Sequence, residues 1–123
     1  MITLEKVLAR HRELCDSARD LIEKKGHDYN RGQQLKGDTL FNLRVAKMLG
    51  IVDTNTKSVL TRFCDKVMRL ISLTSEPNIT ASVKDESIKD TIRDIINYGV
   101  YIELFYEEMQ EEHANTPKLV AND

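Results

Sequence analysis

The chain has 123 residues, the size of one domain that buries roughly two thirds of the surface exposed by its unfolded form. It carries 18 Lys and Arg against 20 Asp and Glu, which gives a net charge of -2. The chain therefore lacks the overall positive field that non-specific binding to duplex DNA requires. Cys15 and Cys64 form no CxxC pair, so neither a structural zinc site nor a disulfide framework is predicted. We expect both thiols to be reduced, half-buried core residues of a cytoplasmic protein. The sequence has no long apolar run and no signal-peptide pattern. We therefore expect the protein neither to span a membrane nor to be exported.

The first predicted element is a long amphipathic helix from Thr3 to Lys25. Its apolar positions recur in steps of three and four residues, with charged residues between them. Thr3 is expected to cap this helix and Gly26 to end it. His11 falls on the apolar face, which predicts a core or interface histidine.

A glycine-rich polar stretch, GHDYNRGQQLKG, follows and predicts a loop of about a dozen residues. Long loops often carry binding sites. His27 can act as an acid, a base or a ligand near neutral pH, and Tyr29 can stack on a base or bind a sugar. The alternative is a plain turn formed by Gly26, Asp28 and Asn30, and the sequence leaves both interpretations open.

A short second helix and a long fourth helix are predicted from their apolar spacing and their end signals. The second is capped by Asp38, runs through Leu49 and stops at Gly50. The fourth begins within residues 82–85 and continues to about Glu112. Its apolar residues cover more than one stripe, so we expect it to be covered on more than one side.

The third predicted helix begins at Asp53 or Thr54 and stops before Pro77. Its apolar residues are expected to face inward: Val59, Leu60, Phe63, Cys64, Val67, Met68, Leu70 and Ile71. The other side carries four charged residues, Arg62, Asp65, Lys66 and Arg69. This charged group could hold Asp65 as a ligand or present guanidinium groups to phosphate, or it could be a surface ladder of ion pairs.

These patterns together predict an all-α fold, a bundle of about four helices in one domain over residues 1–112. The third and fourth helices are expected to pair antiparallel, and residues 113–123 are expected to form a mobile tail. Because the fourth helix has more apolar circumference than one contact requires, we also expect a homo-oligomer, by default a dimer.

An acidic ridge is predicted on the fourth helix within KDESIKDTIRDIINY, where Glu86, Asp90 and Asp94 recur every four residues. Such carboxylates can hold Mg²⁺ together with the phosphates of a substrate. Wheel geometry places three more polar residues along or beside this ridge: Asn97, Tyr98 and Tyr101. The alternative is a solvated helix face whose acids pair with basic residues of the same helix. Antiparallel pairing would bring Asp65 of the third helix within reach of the ridge.

The motifs KKGHDYN, TLFNLRVAKMLGI, VLTRFCDKVMRL and VKDESIKDTIRDIINY, in this order over about residues 24–102, resemble a nucleotide modification associated domain family. That family is found widely in tailed bacteriophages and their prophages. The resemblance implies a small, mostly helical phage-type protein that works near nucleotide and DNA-base modification in a bacterial host. It directs interest to His27, Asp28, Tyr29, Asp65, Lys66, Arg69, Glu86, Asp90, Asp94 and Tyr98.

A looser likeness exists to all-helical nucleotide pyrophosphohydrolases of the MazG and dimeric dUTPase type. Those enzymes hold Mg²⁺ with acidic pairs on two neighbouring helices. The present chain departs from their ExxE and ExxD pattern, because it has Arg62 and Asp65 on one helix and a four-residue step from Glu86 to Asp90 on the next. The step still places both acids on one helix face.

Two functional hypotheses follow. The first is a Mg²⁺-dependent nucleotide phosphohydrolase, with metal-bound water as nucleophile and Asp65 and Asp90 as catalytic residues. Its metal ligands would be Asp65, Glu86, Asp90 and Asp94, and its substrate contacts His27, Asp28, Tyr29, Lys66, Arg69 and Tyr98. The second is a module without turnover that sequesters a nucleotide signal or docks on a partner protein. A purely structural helical protein would instead leave these polar residues exposed and away from any cavity.

Overall fold

A computed structural model describes residues 1–29, 37–75 and 81–116, and for residues 26–29 and 81–86 it describes the backbone alone. The described residues form four α-helices and no strand: α1 (Leu4–Tyr29), α2 (Phe41–Met48), α3 (Asn55–Ser75) and α4 (Ala81–Asn115). The predicted all-α fold of four helices is therefore confirmed. Within these ranges, no helix has the length and apolar character needed to cross a membrane.

Two of the predicted helix starts are confirmed by their capping hydrogen bonds. The hydroxyl of Thr3 accepts a hydrogen bond of 3.2 Å from the backbone N–H of Lys6, at the start of α1. The hydroxyl of Thr54 likewise accepts one of 3.1 Å from the N–H of Lys57, at the start of α3. Each cap satisfies one of the N–H groups that a helix leaves unpaired in its first turn.

The predicted end of α1 at Gly26 is wrong, because the helix continues through Tyr29. His27, Asp28 and Tyr29 therefore have helical backbone and do not belong to a loop. A glycine inside a helix costs only about 1 kcal/mol relative to alanine, an amount that the surrounding structure can offset. The remainder of the predicted loop, residues 30–36, lies outside the described part of the chain.

The predicted capping of α2 by Asp38 is also wrong, because the helix begins at Phe41 after a turn. The Asp38 carboxylate accepts a hydrogen bond of 3.1 Å from the N–H of Leu40 and another of 2.6 Å from Arg44 Nε. It therefore organises the turn that precedes the helix. Aspartate favours such contacts with the backbone two residues later.

The predicted stop at Gly50 is confirmed. Gly50 has a φ of 77°, in the left-handed region where glycine carries no Cβ penalty. Its N–H donates to the carbonyl of Lys47, and the N–H of Ile51 donates to the carbonyl of Ala46. These two bonds are a Schellman motif, which satisfies the last carbonyls of the helix. The end of α4 lies at Asn115, three residues beyond the predicted Glu112.

The helix α4 is central to the arrangement, with α1 and α3 packed against it and α2 packed on α3. The contact between Lys66 and Asp94 fixes the register of α3 against α4. Asn55, near the start of α3, lies beside Phe105, so α3 and α4 run antiparallel as predicted. In the described chain, α1 and α3 make no close backbone contact with each other.

The hydrophobic core within the described residues is small. Leu43, Val59 and Phe105 form its buried cluster, and four half-buried apolar or aromatic residues pack against it: Leu40, Tyr98, Tyr101 and Ile102. Ala18 is buried separately, where α1 meets α4. The core therefore lies on one side of the pair formed by α3 and α4.

Half of the residues predicted to face inward on α3 are exposed. Leu60, Met68 and Ile71 have exposed fractions of 41%, 63% and 53%, and Cys64 is exposed as well. Apolar periodicity identifies the apolar side of a helix but does not show whether the same chain supplies its cover. Cys15 is half-buried, as predicted.

Candidate functional site

A polar cleft lies where the C-terminal half of α1 and the turn before α2 meet α3 and α4. Eight of its described lining residues are polar or aromatic: Lys25, Thr39, Asn42, Arg62, Asp94, Asn97, Tyr98 and Tyr101. The cleft has room for about 80 Å³. Pockets that enclose a whole drug-sized ligand measure roughly 300–1,000 Å³, so this space suits one small group of a larger ligand.

Lys66 and Asp94 form the ion pair that joins α3 to α4 at the cleft. Lys66 Nζ lies 3.0 Å from Asp94 Oδ2, and the two side chains are only 31% and 21% exposed. Asp65, one residue earlier on α3, is turned about 100° from Lys66 and is exposed. The antiparallel pairing therefore brings a lysine to the acidic ridge, where the sequence predicted an aspartate.

Asp90 and Asp94 lie on one ridge but have different partners. Asp90 pairs with Arg93 on the next turn of α4, as the solvated-face alternative predicted. Arg93 also donates a hydrogen bond of 2.9 Å to the hydroxyl of Ser17 on α1. Asp90 thus belongs to the contact between α1 and α4, while Asp94 belongs to the contact between α3 and α4.

No group of three His, Cys, Asp or Glu side chains that could hold a metal ion occurs among the side chains described. The side chain of Glu86 is not among them. Each of the two ridge acids that are described, Asp90 and Asp94, is paired with a basic side chain. The Mg²⁺ site of Asp65, Glu86, Asp90 and Asp94 stays a prediction of the sequence.

The charge of the cleft is predominantly positive. Lys25 and Arg62 line it, and Lys66 is held at its edge by Asp94, the one carboxylate among the described residues of the lining. Such an excess of cations attracts anions, and arginine in particular matches the geometry of phosphate with paired N–H groups. Arg69, predicted to contact substrate, is exposed and lies outside the described lining.

The aromatic part of the site consists of Tyr98 and Tyr101, whose ring centroids lie 6.3 Å apart at an angle of 57°. Beside them, the buried amide of Asn97 donates a hydrogen bond of 3.1 Å to the carbonyl of Ala18 on α1. Asp94, Asn97, Tyr98 and Tyr101 all line the cleft, so the prediction that these residues share one side of the helix is confirmed.

A clamp centred on Arg44 supports the wall of the cleft. Its two terminal nitrogens donate to the two carboxylate oxygens of Glu108 at 2.6 and 2.8 Å, and its Nε donates to Asp38 at 2.6 Å. The guanidinium carbon lies 5.1 Å from the centroid of the Phe105 ring. The hydrogen bond from Arg44 lowers the pKa of Glu108 below its ordinary value.

Sequence reasoning missed this clamp because Arg44 and Glu108 lie 64 residues apart, beyond any local spacing rule. The sequence predicted Asp38 as a helix cap and did not predict its pairing with Arg44. By holding Asp38, the clamp fixes the turn that carries Thr39 and Leu40 to the edge of the cleft.

The motif of His27, Asp28 and Tyr29 begins two residues after Lys25 on α1, and Lys25 lines the cleft. The three side chains lie outside the described residues, so their proposed contacts with a ligand stay predictions. Comparisons of the chain with protein-family models, with curated proteins and with solved structures gave no match.

Proposed function

We propose that the cleft binds a phosphate group of a nucleotide or of a nucleotide-derived small molecule. The main support is the charge of the described lining: Lys66 is held 3.0 Å from Asp94 at a cleft that Lys25 and Arg62 also line, so positive groups outnumber negative ones among the described residues. Hydrogen bonds between a guanidinium or ammonium group and phosphate are about twice as strong as neutral ones. The ion pair also holds the flexible Lys66 chain in place before a ligand arrives.

The size of the cleft and its aromatic residues support a ligand larger than phosphate itself. A space of about 80 Å³ accommodates one phosphate-sized group, and the rest of the ligand would extend along Tyr98 and Tyr101. A tyrosine offers both a ring face for a base and a hydroxyl for a sugar. The resemblance to the phage nucleotide modification family favours a nucleotide, in the cytoplasm of a bacterial host.

We propose binding without turnover as the better-supported function, as expected for a protein that sequesters a nucleotide. Cations predominate in the cleft, and Asp90 and Asp94 are each engaged by a basic residue. The Mg²⁺-dependent phosphohydrolase is supported by the acidic ridge in the sequence and by the looser likeness to the MazG and dUTPase-type enzymes. In a phosphohydrolase, Asp94 would exchange Lys66 for the metal ion, and the metal would supply an activated water.

Isothermal titration tests the proposal with inorganic phosphate and with nucleoside mono- and triphosphates, each in Mg²⁺ and in EDTA. We expect Arg62→Gln to weaken nucleotide binding by about 10- to 100-fold, since a hydrogen bond to a charged group contributes about 1.5–3 kcal/mol. Arg19→Gln is the matched control, because it makes the same charge change at an exposed position of α1 outside the described lining.

Two results would count against the proposal. Equal affinities for wild type and Arg62→Gln would show that the cleft is not the phosphate site. Conversion of the nucleotide in Mg²⁺, detected by mass spectrometry of the same mixtures, would favour the hydrolase. Binding that is independent of Mg²⁺, with an unaltered nucleotide recovered afterwards, is the result that we expect.

A further inference from the structure

An apolar face of the pair formed by α3 and α4 has no cover within the described chain. On α3 it comprises Leu60, Cys64, Val67 and Ile71. On α4 it comprises Ile88, Ile92, Ile95, Gly99 and Tyr106. We call these nine residues the open face. Leu60, Ile71 and Tyr106 are 41–54% exposed, Cys64 and Gly99 are exposed, and the others are half-buried.

The two helices present these residues to the same side. Leu60 directly follows Val59, which is buried in the core, and Tyr106 directly follows Phe105, which is buried in the same cluster. One step along a helix is a turn of about 100°. Because α3 and α4 run antiparallel, one step forward on each helix turns toward the same side of the pair. The same relationship holds at the ion pair between the two helices. Val67 follows Lys66 on α3, and Ile95 follows Asp94 on α4.

The opposite side of the pair is already covered. One step back from Asp94 is Arg93, which binds Ser17 of α1. One step back from Tyr98 is Asn97, which binds the carbonyl of Ala18. Thus α1 and the cleft lie on one side of the α3 and α4 pair, and the open face lies on the other.

We propose that the open face is covered by the open face of a second copy of this chain, which makes a four-helix core from two pairs of α3 and α4. The spacing of Leu60, Cys64, Val67 and Ile71, in steps of four, three and four, is that of a seam between packed helices. From Ile88 to Tyr106 the face is about 27 Å long at 1.5 Å per residue, and two neighbouring helices make it about 20 Å wide.

The area and the lack of charge both favour a second copy as the occupant. A face of about 500–600 Å² on each chain gives a total of about 1,000–1,200 Å², at the threshold for a specific dimer. None of the nine residues is charged, so a twofold rotation brings no like charges together. A Cβ placed on Gly99 would have nothing within 4 Å, which leaves room for another helix to approach closely.

A dimer would also enlarge the small core that the described residues form. Only four apolar residues are buried among them: Ala18, Leu43, Val59 and Phe105. Burial of apolar surface is the dominant favourable contribution to folding and to most protein association. Association would add the burial of the open face, so folding and dimerisation would be coupled by mass action.

Sedimentation equilibrium of the full chain tests the proposal, with wild type, Ile71→Glu and Val100→Glu compared. The matched control Val100 is 48% exposed against 53% for Ile71, but lies outside the open face, one step past Gly99. We expect twice the 14.1 kDa chain mass for wild type and for Val100→Glu, and a shift toward 14.1 kDa for Ile71→Glu. Wild type should also melt at a higher temperature as its concentration rises.

A second variant of the open face tests the proposal in case the first one does not fold. If Ile71→Glu fails to fold, Gly99→Arg provides a second change on the open face, at an exposed helix position that favours arginine over glycine. A wild-type mass of 14.1 kDa at high concentration would overturn the proposal. So would a dimer that both open-face variants leave intact, or one that Val100→Glu alone dissociates.

Discussion

Arg44 and Glu108 share two parallel hydrogen bonds of 2.6 and 2.8 Å across 64 residues of chain. The same guanidinium donates to Asp38, so one side chain joins α2, the turn before it and α4. The side chains are 25% and 36% exposed, intermediate between surface and buried ion pairs. The clamp therefore holds the wall of the cationic cleft in place.

Replacement of Arg44 by Gln is expected to lower the free energy of unfolding by about 1–2 kcal/mol. The loss lies between that of an exposed ion pair, below about 1 kcal/mol, and that of a broken buried pair, about 3–5 kcal/mol. Urea denaturation of Arg44→Gln, Glu108→Gln and the double variant measures the coupling. Arg69→Gln, an exposed control, should change stability by no more than about 0.5 kcal/mol. A coupling energy of zero would contradict the clamp.

The acid dependence of stability should include a contribution from Glu108. The hydrogen bond from Arg44 lowers the pKa of Glu108 in the folded state below its ordinary value of 4.5. The stabilisation is therefore complete above about pH 4.5 and is lost as the pH falls through the lowered pKa. The difference in urea midpoint between wild type and Glu108→Gln should shrink over this range. A difference that stays constant down to pH 3 would rule out the contribution.

Asp94→Asn separates an anion site from a metal site by the sign of its effect. In the anion site the change releases Lys66 and removes the negative charge, so phosphate affinity should rise about three- to tenfold. In a Mg²⁺ site the same change removes a ligand, so binding that depends on Mg²⁺ should fall. Titration with nucleotide in Mg²⁺ and in EDTA measures both. Thermal melts serve as the control for folding. The change is expected to lower the free energy of unfolding by about 1 kcal/mol or less.

Asn97→Ala should destabilise the contact between α1 and α4 by about 1–3 kcal/mol. Asn97 is 5% exposed, and its amide donates to the carbonyl of Ala18, which would lose this donor. Thermal melts compared with Gln110→Ala, an exposed position on the same helix, measure the effect. Hydrogen exchange should show faster opening around Ala18 in the Asn97 variant only. Equal melts for the two variants would show that this hydrogen bond does not hold α1 in place.

The sequence by itself determined the helices, because these depend on interactions within a few residues. Apolar periodicity predicted all four, Thr3 and Thr54 marked two starts, and Gly50 marked a stop. The spacing on α4 also placed Asp94 and Tyr98 on one side of that helix. Gly26 was misleading because a glycine can either end a helix or continue it, at a difference of about 1 kcal/mol that tertiary context decides.

Only the tertiary structure decided which residues meet across helices. The register of α3 against α4 brought Lys66 to Asp94, while Asp65 lies about 100° away on the helix surface and is exposed. A shift of one residue in that register exchanges a cation for an acid, so the charge of the cleft could not follow from composition. The same reason applies to the pairing of Arg44 with Glu108 and to the exposure of Ile71. Both depend on contacts between distant segments, about which local spacing carries no information.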